Sequence, residues 1–486
     1  MSENPESVFQ RRGVVGWIAR HPRMSIAGVV LVLLALLVLI LHKSAENRLA
    51  RQIAAIRARG EPVTLEDLRD RVPTIPDDEN MALAVFEHAA AFKSWKLPEH
   101  LRDANIYSPR QWWRPPSGQR LPSLELEAAT WYSEHFAAEL AAIHGALKLE
   151  HGVFPIGWKT PGIAMLAPHL SDARQISRIM SLDAVLQAER GDQSALTARL
   201  LDMCRMPATL DHQPFLISAL VHLAMSAMAM EEIEYGINVC PLNETDVELL
   251  QRAIRRFDGN PDMAAALMTE RVMFLDCVQW VRSSGGNFAA LTGGTAPPAG
   301  ALRFLPILPA RDAAAGLRFY TEFIDALKLP TVAERVTRLQ AVEKGVQGLP
   351  MYYFLTRMLV PSFSWATELF HRSIGSTRAM VAALACERYR LRHGEWPAGL
   401  EALVPEFLDP VPVDPFDDEP IRYKRFDMGI KVWSIGEDMT DDGGDVKRLE
   451  RRTSTSQPTD WGWVLLDPEH RGRPADEDET ASQPAE

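Results

Sequence analysis

The sequence predicts a mainly α-helical protein that begins with a transmembrane helix and ends with a small α+β module. Three observations predict this fold class. An uncharged apolar run covers residues 24–41, helical spacing of apolar side chains dominates residues 123–282, and proline-punctuated, strand-like runs follow residue 374. The pattern of the middle part predicts helical hairpins, which could stack as in a solenoid. Because no sequence signature recurs at a fixed period, the solenoid is only an architectural analogy. In the module we expect one long helix packed on a three-stranded antiparallel sheet.

Composition restricts the function classes. The chain has 486 residues, of which 47% are hydrophobic and 24% are charged, as in ordinary folded proteins. Its net charge of −12 gives no electrostatic footprint for nucleic acid, so we expect no nucleic-acid partner. The four cysteines form no CxxC pair, which argues against a zinc site or a redox dithiol. A disulfide among Cys204, Cys240, Cys277 and Cys386 is left open for an exported chain.

Residues 24–41 predict a single-pass membrane anchor. The run has no charge and no polar face, and at 1.5 Å per residue it spans about 27 Å, close to the hydrocarbon thickness of a bilayer. Arginines cluster more tightly before the run than after it, so the positive-inside rule places the N-terminus in the cytoplasm and the bulk in the periplasm, at the cell inner membrane. A cleaved signal peptide is the alternative. The run passes into Leu41-His42-Lys43 without a small-residue cleavage site, which favours an uncleaved anchor.

Composition shifts divide the rest of the chain. A glycine- and proline-rich apolar loop interrupts the helical middle and has two readings, a lid or membrane-touching flap and an irregular core segment. The acidic, low-complexity end predicts a disordered tail. The predicted units are a cytoplasmic tail (1–23), the anchor (24–41), a stalk and linker (42–80), a helical domain (81–373) with the loop 283–311, the α+β module (374–466) and the acidic tail (467–486).

The C-terminal module carries the clearest local signals. An apolar stripe predicts a helix over residues 376–392, which Gly394 ends. Residues 421–426 and 430–433 are typical of paired strands around a short turn, and residues 461–466 indicate a third strand. These signals predict an α-helix followed by a three-stranded sheet.

Five motifs follow one another in this module: a helix, a turn of the form Y-x-x-x-x-G-x-W-P, a turn P-V-D-P-F, a strand end W-S-I-G-E-D and a loop rich in glycine and aspartate. They lie at residues 376–392, 389–397, 412–416, 433–438 and 441–445. In order and spacing they resemble the globular part of the major pseudopilin of type II secretion. The resemblance covers residues 378–466, under a fifth of the chain.

The resemblance implies a calcium site. In the pseudopilin family the loop rich in glycine and acids binds calcium, and the metal holds the loop against the sheet. The matching residues are Asp438, Asp441, Asp442 and Asp445. Hard cations require several oxygen ligands, which a short loop of aspartates and glycines can supply. The alternative is a solvated acidic loop without a metal.

This chain departs from the pseudopilin arrangement in one respect. In that family the hydrophobic helix runs directly into the module, whereas here more than three hundred residues lie between them. The whole chain also resembles large envelope proteins of planctomycete and verrucomicrobial type. That second likeness implies an envelope location and supplies no activity.

No complete catalytic signature is present. The sequence has no phosphate loop, no GxSxG elbow, no HExxH helix and no GxGxxG after a strand. His135 and Glu139 have the spacing of metal ligands on one helix, although exposed pairs of this kind are commoner. The acidic run 77–80 reads as a metal cluster or as a helix cap. Residues 112–113, two tryptophans between arginines, either stack on a sugar or pack on the helical domain.

We therefore expect a non-enzymatic envelope protein that acts in protein–protein interaction or assembly, linked to secretion or pilus-like machinery, with an envelope protein as partner. The alternative is an envelope hydrolase with an active site in the helical domain. A deep pocket lined by histidines and carboxylates would favour the enzyme, and a groove lined by apolar and arginine side chains would favour the binding protein. In a third reading the module is a stabilising cap on the helices.

Overall fold

The protein is mainly α-helical and contains one small antiparallel sheet, as the sequence predicts. A computed structural model describes residues 22–93, 95–104, 115–162, 167, 169–284, 307–360, 363–446 and 460–475. Its helices are α1 (Pro22–Ala58), α2 (Leu65–Arg69), α3 (Met81–Phe86), α4 (Ser123–His135), α5 (Ala137–Ala146), α6 (His169–Arg190), α7 (Gln193–Arg205), α8 (Leu216–Val239), α9 (Glu244–Ile254), α10 (Met263–Ser284), α11 (Ile307–Ala326), α12 (Val332–Gln347), α13 (Phe354–Leu359) and α14 (Ser364–His393). The strands are β1 (Arg422–Phe426), β2 (Gly429–Ser434) and β3 (Trp461–Leu466).

α1 is one continuous helix of 37 residues that joins the predicted anchor to the predicted stalk. From Ile26 to Leu41 its large apolar side chains are exposed, whereas Leu49 and Ile56 are buried beside α11. This helix is long and apolar enough to cross a membrane. α8 meets the same test of length and composition, but most of its apolar stretch is buried, as in the core helix of a folded domain.

Local sequence signals set several helix starts. At α2 the Thr64 hydroxyl accepts the N–H of Asp67 (3.1 Å), and the Asp67 carboxylate accepts the N–H of Thr64 (3.0 Å), which completes a capping box. At α3 the side-chain oxygen of Asn80 accepts the N–H of Ala82 (3.1 Å). The acidic run 77–80 is therefore a helix start, as its capping interpretation predicts.

Two apolar cores hold these elements. The larger core joins α3–α9 to α14 and the sheet, and the smaller core joins the second half of α1 to α10–α13. The predicted helical domain (81–373) and module (374–466) thus share one core, and α14 runs across position 374. The domain boundaries and the solenoid-like stacking stay predictions. Representative buried residues are Ile179, Ile233, Leu384 and Ile430 in the larger core and Phe274, Leu317 and Phe323 in the smaller one.

The sheet has the order β1-β2-β3, and all pairs are antiparallel. Val432 in the central strand pairs with Tyr423 on one side and Trp463 on the other. The three strands lie where the sequence predicts them, and α14 packs on the sheet but begins twelve residues before the predicted start. α14 approaches β2 closely because Gly375 has no side chain: a Cβ there would lie 2.5 Å from the Ser434 hydroxyl oxygen.

Side chains of α8 bond to the outer edge of β3. The Asn238 side chain accepts the N–H of Leu466 (2.9 Å) and donates to the carbonyl of Val464 (2.8 Å). Glu234 accepts the N–H of Val464 (2.8 Å). Residues four apart on a helix are about 6 Å apart along its axis, and residues two apart on a strand are about 6.8 Å apart, so the two spacings match. The helix therefore satisfies a strand edge that would otherwise be left unpaired.

Several predicted features lie partly or wholly outside the described residues. Residues 112–113 and most of the loop 283–311 are among them. The predicted tail is described from its start at 467 to 475, and this part is folded, because Arg471 pairs with the buried Glu387 (2.8 Å). The four cysteines are buried and free.

Replacing Asn238 with leucine is expected to lower the free energy of unfolding by about 2–6 kcal/mol. The N–H of Leu466 and the carbonyl of Val464 would be left buried without a partner, at about 1–3 kcal/mol each. Urea denaturation of the full chain in detergent measures the loss. Asn47→Leu makes the same chemical change at an exposed position and should leave stability nearly unchanged. Equal midpoints for the two variants would contradict a structural role for the α8–β3 contact.

Candidate functional site

A groove follows the seam between the end of α9 and the proline-rich segment 405–413. Two cavities of about 360 and 240 Å³ form it, and Arg255, Leu408 and Asp409 line both. α14 contributes Thr377 and Val381 to the larger cavity. These two cavities and their lining residues are called the seam groove below. They lie where the helical part of the chain meets the C-terminal module.

The seam groove presents two polar groups without a partner. The Arg255 guanidinium is exposed and has no ion pair or hydrogen bond to any described residue. The Thr377 hydroxyl is fully buried and has no hydrogen-bond partner. By contrast, Arg378 is held by both carboxylate oxygens of Asp258, each at 3.1 Å. Since buried polar groups are normally hydrogen-bonded, the groove retains unused capacity for a polar ligand group.

One buried glutamine holds both walls of the seam groove. The Gln251 side chain donates to the carbonyls of Val381 (3.1 Å) and Phe407 (3.2 Å). Its oxygen accepts a hydrogen bond from Arg388 (2.9 Å). The lining of the larger cavity is mainly valine, leucine and proline, and Val413 is 39% exposed at its rim. The smaller cavity is more polar and includes Glu248, Glu406 and Asp409. Among the described lining residues, Arg255 is the cation without an ion pair or hydrogen bond.

The predicted calcium residues Asp438, Asp441, Asp442 and Asp445 lie on the loop after β2, and all four are exposed. Asp441 accepts a hydrogen bond from the Trp433 indole (3.0 Å), and Asp438 accepts a backbone N–H within its own turn (3.0 Å). In the part of the chain that the structure describes, no three His, Cys, Asp or Glu side chains converge to hold a metal ion. Calcium requires six to eight oxygens, so this arrangement does not fit the ion without rearrangement, and calcium binding stays a prediction.

Asp460, which the sequence interpretation missed, organises this loop. It lies directly before β3, is fully buried, and accepts the backbone N–H of Gly444 (2.8 Å), Asp445 (3.2 Å) and Asp442 (3.4 Å). Burial raises the pKa of Asp460, and the N–H donors oppose that shift. An aspartate before a strand is the only sequence signal, and it does not indicate that the side chain turns inward.

The predicted metal-type pair His135 and Glu139 does not lie on one helix. α4 ends at His135, and Phe136 interrupts the helical conformation before α5 begins. The His135 ring instead stacks on Trp131, with ring centroids 4.4 Å apart. The structure therefore does not have the one-helix spacing on which both interpretations of this pair were based.

A buried polar cluster forms around His144. Its Nδ1 lies 2.9 Å from an Asp202 oxygen, and its Nε2 lies 3.5 Å from an Asp183 oxygen. Asp183 also accepts a hydrogen bond from Ser133 (2.7 Å) and pairs with Arg199 (2.6 Å). The three central side chains are almost fully buried, and none of them lines the seam groove. The cluster joins α5, α6 and α7 inside the core.

The His144 cluster predicts a pH-dependent stability. Burial lowers the pKa of His144, but the contacts with Asp183 and Asp202 outweigh it, so the pKa lies above its ordinary value. The charged imidazole therefore stabilises the fold below about pH 6.5, and this contribution is lost as pH rises through the raised folded-state pKa. In His144→Gln the free energy of unfolding should fall less between about pH 6 and pH 9 than in the unaltered protein. Urea denaturation across this range measures both slopes.

His151→Gln is the control, because that side chain is 63% exposed. It should keep the pH dependence of the unaltered protein. An identical pH profile for His144→Gln and the unaltered protein would show that the imidazole contributes no net ionic stabilisation.

Replacing Asp460 with alanine is expected to loosen the loop after β2, because three backbone N–H groups lose their acceptor. Hydrogen–deuterium exchange of peptides covering residues 436–446 should become faster. Asp427→Ala, at an exposed position in the hairpin turn, should not change it. Calcium chloride is not expected to restore protection, since the predicted ligands do not converge. Restoration by calcium would contradict this expectation and support the calcium site.

The fold and the groove are defined by this chain's own residues. In comparisons with protein-family models, curated proteins and solved structures, none matches the chain. The likeness of the C-terminal module to a pseudopilin therefore remains a resemblance in sequence motifs.

Proposed function

We propose that this chain is a membrane-anchored envelope protein that binds an extended segment of a partner protein in the seam groove. One observation carries the proposal: a groove whose larger cavity is mainly apolar and in which the Arg255 guanidinium and the Thr377 hydroxyl have no partner. Apolar and arginine side chains in a groove favour a binding protein over an enzyme.

The membrane location has two supports. The first half of α1 exposes a continuous apolar surface, which is costly in water and favourable in lipid. The arginines that precede it favour a cytoplasmic N-terminus. We therefore propose that α1 crosses the inner membrane once and that the folded body lies in the periplasm.

The lining of the seam groove indicates the chemistry of the partner segment. Val381, Leu408 and Val413 offer apolar contacts, and Arg255 offers the cation that can pair with a carboxylate. Arginine binds carboxylates through two parallel N–H donors, which fixes orientation as well as affinity. An extended peptide with apolar side chains, and with one acidic group at Arg255 and away from Asp409, matches the lining of the larger cavity. We propose such a segment as the occupant.

The hydrolase alternative has less support. The buried cluster around His144 does not line the seam groove, and neither does the pair of His222 and Asp211, whose Nε2 and carboxylate oxygen lie 3.2 Å apart. The polar atoms of the cluster are engaged with one another in ionic contacts that hold three helices together. We therefore keep the non-enzymatic assignment.

A link to secretion or pilus-like machinery rests on the motifs shared with the pseudopilin. Those motifs lie on a helix, a three-stranded sheet and their connecting turns within residues 376–466. In this proposal the module forms one wall of the groove through the segment 405–413 and so takes part in binding.

The proposal predicts a charge-dependent contact at the groove. With p-benzoylphenylalanine replacing Val413 in the full chain, illumination of living cells should give a discrete adduct with one partner. Arg255→Glu should abolish that adduct, because it replaces the cation with a repelling carboxylate. Immunoblotting of membranes detects the adduct.

Two matched controls accompany this experiment. Arg174→Glu changes an exposed arginine on α6 and should leave the adduct intact. The same photoreactive residue at Met439, which is 43% exposed and does not line the groove, should give no adduct with that partner. Adducts at both positions, or an adduct that survives Arg255→Glu, would refute partner binding in the groove.

A further inference from the structure

We propose that a surface made of Arg311, Met351, Tyr352 and Tyr353 lies against the lipid headgroups of the membrane that α1 crosses. It is called the Tyr352 surface below. This inference rests on the membrane anchoring proposed above and adds a second membrane contact, made by the folded body itself.

The direction of α11 places the Tyr352 surface towards the membrane. At the far end of α1, Arg59 pairs with Asp325, and Glu61 lies 3.5 Å from Lys328. The C-terminal ends of α1 and α11 therefore lie together, and the two helices pack along each other in the same direction. The N-terminal end of α11, where Arg311 lies, consequently faces the anchor half of α1.

α10 gives an independent measure of this direction. Near its middle Arg271 pairs with Glu61 (2.9 Å), and near its end Arg282 pairs with Glu46. α10 therefore runs antiparallel to α1. Its last turn lies beside Glu46, which follows Leu41 by five residues in α1. The ends of α10 and α11 thus agree on which end of the folded body is nearest the membrane.

Helix geometry sets the distance of Arg311 from the lipid. Fourteen residues separate Arg311 from Asp325, a rise of about 21 Å, so Arg311 lies roughly level with position 45 of α1. Position 45 is about 6 Å beyond Leu41, the end of the apolar run. A bilayer has about 5–8 Å of headgroup layer on each side of its hydrocarbon core. Arg311 therefore lies within the headgroup layer.

The Tyr352 surface has the chemistry of a membrane interface. Met351 is 85% exposed and Tyr352 is 43% exposed, which is unfavourable for an apolar side chain in water. Arg311 donates to the Tyr353 hydroxyl (2.8 Å), and its guanidinium carbon lies 5.5 and 5.6 Å from the two tyrosine ring centroids. Tyrosines are enriched at bilayer interfaces, and guanidinium groups bind phosphates.

A buried carboxylate keeps the Tyr352 surface in place. Asp312, next to Arg311, accepts the N–H groups of Leu355 (2.7 Å) and Thr356 (2.9 Å) at the start of α13. Residues 351–353 come directly before these donors. The surface is therefore fixed to the end of α11 and does not depend on a free loop for its position.

α1 supplies further cations near the same level. Lys43 and Arg48 follow the apolar run and are exposed. Basic side chains beside a membrane attract anionic lipid headgroups. The height of the Tyr352 surface along α1, the nearby cations and the aromatic side chains together favour lipid as the occupant.

Depth-dependent quenching in vesicles tests the inference. The full chain is reconstituted into phosphatidylcholine–phosphatidylglycerol vesicles after Met351→Cys and labelling with a nitrobenzoxadiazole fluorophore. Labelling is selective because the four native cysteines are buried. Lipid brominated near the headgroup should reduce the fluorescence, and aqueous iodide should not. Leu34→Cys in the anchor and Met439→Cys in the module, 43% exposed, are labelled in the same way.

The controls separate failure of the inference from failure of the anchor. We expect lipid brominated near the headgroup to quench the label at position 351, lipid brominated near the chain ends to quench the label at position 34, and iodide alone to quench the label at 439. Iodide quenching at 351 with lipid quenching at 34 would overturn the Tyr352 surface and leave the anchor intact. Iodide quenching at both would overturn the anchor as well. Protection at 351 from both quenchers would show a protein, not lipid, on this surface and would also overturn the inference.

Discussion

The contact between α8 and the outer edge of β3 determines how the rest of the chain is arranged. A three-stranded sheet leaves two edges of unpaired backbone groups, and such edges are costly when buried and prone to aggregation when exposed. Asn238 and Glu234 bond one of these edges from a helix, at the spacing that a strand requires. This contact fixes the sheet and α14 against the helices in one hydrophobic core. The seam groove exists because the two parts meet in this way.

Most buried charges in this protein are neutralised or hydrogen-bonded. Glu387 is paired with Arg390 and Arg471, and although burial raises its pKa, these two arginines hold the pKa below the ordinary value. Asp414 and Asp460 accept backbone N–H groups that fix the turns around the sheet. These three carboxylates therefore stabilise the folded conformation of the module. In the seam groove the exposed Arg255 guanidinium and the buried Thr377 hydroxyl lack such partners and line the same cavity, which makes the groove the candidate for binding.

One unbroken helix, α1, joins the proposed membrane anchor to the folded body that carries the seam groove. The first half of the helix exposes apolar side chains, and its second half is packed in the smaller core without a break. A flexible linker would let the body rotate freely, whereas a continuous helix transmits its orientation. Under the proposed anchoring, α1 and the Tyr352 surface would hold the body at one angle to the bilayer, and the seam groove would face a constant direction.

The sequence by itself determined the helical class, the apolar run of α1, the helix caps at Thr64 and Asn80, and the three strands, because each depends on residues close together in the chain. Composition and periodicity carry that local information. Only the tertiary structure brought Asn238 to β3, His144 to Asp183, and Asp460 to the acidic loop. These contacts join residues far apart in the chain, and no local pattern indicates which polar side chain will turn inward. The seam groove depends on the same long-range packing, which is why none of its residues was predicted.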